Sequence, residues 1–208
     1  MVKFTPILCL TALLWSLAAW PLRAGIIANP SFEAGPRCNG GSGTCGGQTP
    51  WIFIPGPSGT AFGVVSNPGY AAPDGGANAA YFGGMTVASY DTIAQVVTTT
   101  PGQLYTLTFW LNTSLDHSNA DFRVLWDGVA IYDDPAGTDS AHQFPYTQIT
   151  VFSLAGTGSD TLAFQGYNPP AQDKFDLVDL QAVPEPASWM PMSTAMMVLA
   201  CRRRGVPT

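Results

Sequence analysis

The sequence predicts an all-β body folded as a two-sheet sandwich, and three observations carry the prediction. Short runs rich in Val, Ile, Thr, Phe, Tyr and Trp are separated by clusters of Gly, Pro, Asn and Asp. The clearest run, QLYTLTFWL, alternates Tyr105, Leu107, Phe109 and Leu111 with Thr106, Thr108 and Trp110, which is the period of a strand with one face on a core. No apolar pattern of helical period is sustained between Gly25 and Val183.

In chain order, strands are expected at 25–32, 51–54, 61–66, 78–82 and 90–98, each an apolar or β-branched run bounded by turn-forming residues. Pro101-Gly102 supplies the turn into the run at 103–111. Strands at 121–126 and 129–133 are joined by Asp127-Gly128, a strong hairpin signal because a type I′ turn needs positive φ. Runs at 146–154, 161–167 and 175–183 complete the set. About ten strands in about 160 residues suit two sheets whose apolar sides face one another. No internal repeat points to a propeller or a solenoid.

The two ends read differently from the body. Lys3 precedes an apolar run from Ile7 to Trp20, and Pro21-Leu22-Arg23-Ala24 leads into Gly25. Residues 1–24 therefore read as a secretory signal peptide cleaved after Ala24, and residues 25–183 as the exported β-sandwich domain. Residues 25–186 hold Arg37, Arg123 and Lys174 against all 14 acidic residues, so the exported part is more acidic than the formal charge of −6 on the whole chain. Phosphate binding needs clustered Lys and Arg, so nucleic acid is not an expected partner. Of the four cysteines, Cys9 and Cys201 fall in the two ends, while Cys38 and Cys45 bracket NGGSGT. In an oxidising compartment a Cys38–Cys45 disulfide is expected, stapling a loop that has little to pack.

Few residues suggest catalysis. His117 and His142 are the two near-neutral proton carriers, and neither belongs to a metalloprotease, serine-elbow or Cys-His motif. A glycosidase needs only two carboxylates across a cleft, for which Asp91, Asp121, Asp133 and Asp134 are available. Acidic residues on a secreted surface chiefly serve solubility, and the body is read as not an enzyme. Binding asks for aromatic platforms with one apolar face and one wet edge. Trp110 and Trp51 are the candidate sugar-stacking residues, Trp110 because it shares the face of Thr106 and Thr108 that turns away from the core. Trp126 alternates with Phe122 and Val124 and is expected to be buried.

The run from NPSFEAG through AAPDGGANAAYFGG and YDTIAQVVTTTPGQLYTLTFWL to FDLVDLQAVPEPA resembles the galactose-binding-like jelly rolls of many carbohydrate-binding modules and exported bacterial proteins. The resemblance spans residues 26–186. It implies a jelly-roll sandwich in which the opening Asn-x-x-Phe-Glu segment lies near the closing strand, with a structural calcium ion often held between them. Carried onto this sequence, Glu33 and Asp176 are the candidate calcium ligands, calcium being partial to several hard oxygen donors. The usual closing Asp-Asp-Val stands here as Asp176-Leu177-Val178.

The C-terminal residues 184–208 resemble the PEP-CTERM sorting signal, which a membrane enzyme of Gram-negative bacteria, exosortase, recognises. Pro184, Glu185 and Pro186 match its signature, residues 187–201 its apolar segment, and Arg202, Arg203 and Arg204 its basic end. Two prolines keep the stretch extended and out of any strand ladder, open to a processing enzyme. The arginines are expected to stay cytoplasmic. A helix over 187–201 reaches about 22 Å against a hydrocarbon core of about 30 Å, which suits transient contact with the inner membrane better than a permanent transmembrane anchor. Three functions remain open on sequence: an envelope or extracellular-matrix protein sorted through this tail and in contact with exopolysaccharide, a carbohydrate-binding module, and a secreted hydrolase.

Overall fold

The computed structural model describes residues 25–40, 47–58, 61–66, 71–83, 86–113, 119–134, 145–169 and 171–184. Eleven strands are formed among these described residues: β1 (Cys38–Gly40), β2 (Ile52–Ile54), β3 (Phe62–Ser66), β4 (Asn78–Phe82), β5 (Asp91–Thr98), β6 (Leu104–Asn112), β7 (Asp121–Trp126), β8 (Val129–Asp134), β9 (Thr147–Ala155), β10 (Ser159–Tyr167) and β11 (Asp173–Ala182). They build a six-stranded sheet in the order β1-β3-β4-β11-β6-β9 and a five-stranded sheet in the order β2-β5-β10-β7-β8. Every pairing is antiparallel. From β5 onward the chain crosses repeatedly from one sheet to the other, so the facing layers are stitched together along their length.

The alternation read from QLYTLTFWL is the alternation that folds. Leu107, Phe109 and Leu111 of β6 are fully buried, whereas Thr106, Thr108 and Trp110 are only partly covered on the outer face. Opposite them, Phe122 and Val124 of β7 and Leu162 and Phe164 of β10 face inward from the second sheet. Phe164 stacks on Phe175 of β11 across the interlayer space, with ring centroids 4.3 Å apart. Truncating so well packed a ring to alanine typically costs about 3–5 kcal/mol. The hairpin signal also holds. Asp127 and Gly128 have φ of 50° and 81°, and Trp126 pairs with Val129 across the turn.

Two elements differ from expectation. Residues 25–32 are not a strand: Asn29 and Phe32 take φ of 50° and 57°, and Pro30 lacks an N–H, so no ladder can run through them. The segment is instead tied laterally. The Ala28 N–H donates to Gln95 Oε1 at 2.9 Å, and the Val178 N–H donates to the Pro30 carbonyl at 3.0 Å. Ile27 and Phe32 still enter the core. Conversely, the short β1 forms beside β3 from a glycine-rich stretch without strand signal. The signal peptide at 1–24 and the tail from Glu185 onward lie outside the described residues, so the expected C-terminal apolar helix does too. Among the described residues no helix is long and apolar enough to cross a membrane.

Candidate functional site

The outer face of the five-stranded sheet gathers side chains that are far apart in sequence. Register aligns Ile54, Thr92, Gln165, Arg123 and Asp133 in one row across β2, β5, β10, β7 and β8. The next row holds Ile52, Ala94, Ala163, Leu125 and Ala130. One row is polar and the other apolar with small residues at its centre. Ile52 and Ile54, with Val96 nearby on β5, are half exposed or more along this strip.

The polar row is wired together. Arg123 Nε donates to Gln165 Oε1 at 2.8 Å, and Gln165 Nε2 donates to Thr92 Oγ1 at 3.0 Å. The Arg123 guanidinium lies over the Tyr90 ring, 3.7 Å from its centroid. Tyr90 in turn meets Tyr167 edge-on at 4.9 Å, and its hydroxyl donates a short hydrogen bond to Asp121 Oδ2. This holds the Arg123 plane in one orientation through its Nε and its face. Among the described residues its terminal nitrogens have no hydrogen-bond acceptor. Beside it, the Asp121 carboxyl lies against that of Asp133, and its Oδ1 is closed to solvent.

The electrostatics follow from this crowding. Burial raises the Asp121 carboxyl above its ordinary value, and the neighbouring Asp133 charge adds to the rise, while the Tyr90 hydroxyl and Arg123 oppose it. Burial and the hydrogen bond to Asp121 raise the Tyr90 phenol, so its proton stays on the ring oxygen across the ordinary pH range. The face therefore offers a fixed donor fork with an apolar strip alongside.

No protein-family model matches the chain, and no curated protein matches it. Solved structures do. TmCBM61 in complex with β-1,4-galactotriose superposes with a TM-score of 0.53 at 14% identity, covering 77% of this chain and 100% of that one. A cyclase from Fischerella sp. TAU in complex with 4-(1H-indol-3-yl)butan-2-one gives 0.52 at 18% identity, covering 79% and 100%. The enzymatically active domain of tailspike protein 4 of bacteriophage CBA120 gives 0.50 at 14% identity, covering 76% of this chain and 21% of that one. The fold is a jelly-roll sandwich, as in TmCBM61.

Within this jelly roll the expected site residues fall in different places. Trp51 is 4% exposed and belongs to the core. Its ring packs against Phe32 at 5.1 Å and Phe164 at 6.2 Å, and its Nε1 donates to the Asn29 carbonyl at 2.8 Å. With both faces and its polar edge engaged, Trp51 is not a sugar platform, which corrects that expectation. Trp110 is half-buried on the outer face of the six-stranded sheet, opposite Gln148 and Asp176, away from the Arg123 row. Of the candidate carboxylates, Asp121 and Asp133 share the Arg123 face, while Asp91 and Asp134 are buried.

Glu33 and Asp176 are brought to one loop, residues 71–78. Glu33 Oε1 accepts from the Ala77 and Asn78 N–H groups at 2.7 and 2.6 Å. Asp176 Oδ2 accepts from the Ala72 N–H at 3.0 Å. The loop backbone closes so tightly on Asp176 that a Cβ on Gly75 would meet Oδ2 at 2.1 Å. Burial pushes the Asp176 carboxyl up to about 7; the Ala72 and Leu177 N–H groups oppose this, and the Glu33 charge adds to it. Two carboxylates held near each other, one fully buried, fit a hard cation in donor chemistry. Among the described residues no three His, Cys, Asp or Glu side chains gather around one point, so a calcium ion would draw its other oxygens from backbone or water.

Cys38 is disulfide-bonded. Cys45, its expected partner, lies outside the described residues. Pro184 is exposed where the described chain ends, and Glu185, Pro186 and Arg202 to Arg204 lie beyond it. The sequence missed the Arg123 site because its members come from β5, β7, β8 and β10, which only the sheet order brings side by side. One signal was present: Arg123, one of three cations in residues 25–186, sits between inward-facing Phe122 and Val124 and must point outward.

Proposed function

We propose that the body is a non-catalytic carbohydrate-binding module that takes a neutral polysaccharide on the outer face of the five-stranded sheet. We further propose that its C-terminal segment sorts it, through exosortase, to the cell envelope or extracellular matrix of a Gram-negative bacterium. The observation that carries the binding reading is the fixed Arg123 fork, whose terminal nitrogens lack an acceptor among the described residues, beside an apolar strip on the same face. A sugar diol supplies hydroxyl oxygens for the guanidinium, and its apolar ring face suits the Ala94-Ala163-Leu125 strip. A polyanion suits the site less, because Asp121 and Asp133 stand beside the one arginine. Asp121 and Asp133 lie side by side on one sheet face rather than opposed across a scissile bond, which favours holding a glycan over cleaving it. Export is supported by the disulfide at Cys38, a bond that persists in oxidising compartments. Sorting is supported by the order of Pro184-Glu185-Pro186, apolar run and arginine cluster in the sequence.

Calorimetric titration of residues 25–184 with neutral β-linked oligosaccharides, and with uronate oligomers as the contrast, tests the binding reading. Arg123→Ala is expected to weaken neutral-glycan binding about 10- to 100-fold, the size of a charge-assisted hydrogen bond. Absence of any neutral-glycan binding by the wild-type body refutes it.

A further inference from the structure

The outer face of the six-stranded sheet hides two polar side chains at its centre, where β11 and β6 lie side by side. Lys174 of β11 is 6% exposed and Asn112 of β6 is fully buried. Lysine is among the residues least often buried, and apart from Lys3 this is the one lysine in the chain. Register explains how the two meet. Lys174 is the Cα partner of Asn112, and the next pair along the ladder is Phe175 with Leu111. Directly opposed residues project from the same face, with Cβ atoms roughly 4.5–5.5 Å apart. Phe175 and Leu111 enter the core, so Lys174 and Asn112 both leave the other face, within reach of the long flexible stem of a lysine.

Asn112 is the anomaly in this pair. Both Nδ2 and Oδ1 are closed to solvent, and neither has a hydrogen-bond partner. A native structure rarely leaves a buried primary amide unserved at both ends, because the lost hydration is not repaid. The same seclusion changes what the amide can react with. Water, the usual competitor for its carbonyl carbon, is excluded, while an amine is held across the ladder from it. On this face Tyr81 of β4 flanks Lys174 on its other side, and Asp176 is the next residue of β11 to project outward.

We propose that Lys174 and Asn112 join in an intramolecular isopeptide bond, formed by the folded chain itself. Lys174 Nζ attacks Asn112 Cγ as the free amine. The Nζ–Cγ bond forms, the Cγ–Nδ2 bond breaks, and the proton that Nζ sheds leaves with Nδ2 as ammonia. Nothing is oxidised or reduced, and no co-reactant is consumed. The Asp176 carboxyl on the same face can carry the proton from one nitrogen to the other. Folding supplies the proximity that turns a reaction between two side chains into a unimolecular one, and the closed surroundings keep hydrolysis from competing. The product is a secondary amide, which replaces an unserved primary amide with a covalent rung between the two central strands of the sheet. The bond lies on the six-stranded sheet and does not depend on the glycan reading.

Mass spectrometry of the purified full-length chain, reduced and denatured, tests it. The wild type is expected to be lighter than its sequence mass by one ammonia. Trypsin is expected to leave the chain uncut after Lys174 and to release a branched peptide that joins the segments carrying residues 112 and 174. Lys174→Met and Asn112→Ala are each expected to run at full sequence mass. Acylation of amines in the denatured wild type gives a readout that needs no variant and no variant's folding: Lys174 is expected to stay unlabelled. A wild type at full sequence mass, with Lys174 labelled and cleaved, overturns the proposal. So does an ammonia loss that persists in Lys174→Met, since it then belongs to a cyclised asparagine elsewhere in the chain.

Discussion

Asp160 carries a stability contribution whose sign and pH window are set by its donors. Its carboxylate, on a fully buried residue at the start of β10, accepts from the Thr157 N–H at 3.0 Å and the Thr157 hydroxyl at 2.7 Å. The Thr99 hydroxyl donates a short hydrogen bond to its other oxygen, and Thr99 Oγ1 itself accepts from the Gly158 N–H at 3.0 Å. Burial alone would raise this carboxyl, but the Thr99 and Thr157 donors outweigh it and bring it from 3.8 down to about 2. A carboxyl depressed in the folded state stabilises the fold above its unfolded value and loses that contribution as pH falls through the folded one. The window is thus pH 4 to 2, and the linked free energy is at most about 2 kcal/mol, because the hydrogen bond Asp160 shares with Asp127 raises that neighbouring carboxyl. Asp160→Asn removes the charge and turns an amide N–H toward groups that already donate. Stability at pH 7 is expected to fall by about 2–4 kcal/mol, or roughly 5–12 °C in Tm for a domain of this size. Thermal melts of both proteins at pH 7, 3 and 2 make the check, with the gap expected to narrow by up to about 2 kcal/mol between pH 4 and 2. A gap of constant size across that range would falsify the assignment of the stabilisation to the ionised carboxylate.

Three further outcomes follow from named residues. Calcium is expected to raise the melting temperature and chelator to lower it, by about 2.7 kcal/mol at a hundredfold excess over Kd, with Glu33→Gln and Asp176→Asn each erasing the difference; coincident melts of the wild type would remove the ion. Unreduced peptide mapping of the secreted form is expected to show a Cys38–Cys45 crosslink, and Cys38→Ser to cost about 2–3 kcal/mol without abolishing the fold, whereas two alkylatable thiols contradict the pairing. Glu185→Ala is expected to leave export intact and to trap the tailed chain in the membrane; mass spectrometry of the mature C-terminus decides, and Arg202 to Arg204 still attached to the abundant extracellular form sinks the sorting reading.

The strands were legible wherever one face meets the core, because burial imposes a period of two on the side chains. Tyr105 to Leu111 and Phe122 to Trp126 announce themselves in this way. Residues 25–32 misled because their apolar content reflects core entry by Ile27 and Phe32 from an irregular backbone, and positive φ at Asn29 and Phe32 leaves no compositional trace. The candidate site was less legible for a different reason. Thr92, Gln165 and Arg123 become neighbours only through the order β5-β10-β7, and strand order is a property of the whole chain. Tryptophan drew attention as a sugar platform on its chemistry alone, yet the same large ring suits a core, and Trp51 went there. Glu33 and Asp176 did converge on one loop, since both the opening segment and β11 are anchored by the Val178 to Pro30 hydrogen bond.

The position of β11 has a mechanical consequence. It is the last strand among the described residues but lies inside its sheet, paired with β4 on one side and β6 on the other. Force applied at the C-terminus of a tethered molecule therefore pulls β11 lengthwise and strains its ladders in shear, many hydrogen bonds at once, instead of peeling them open singly from an edge.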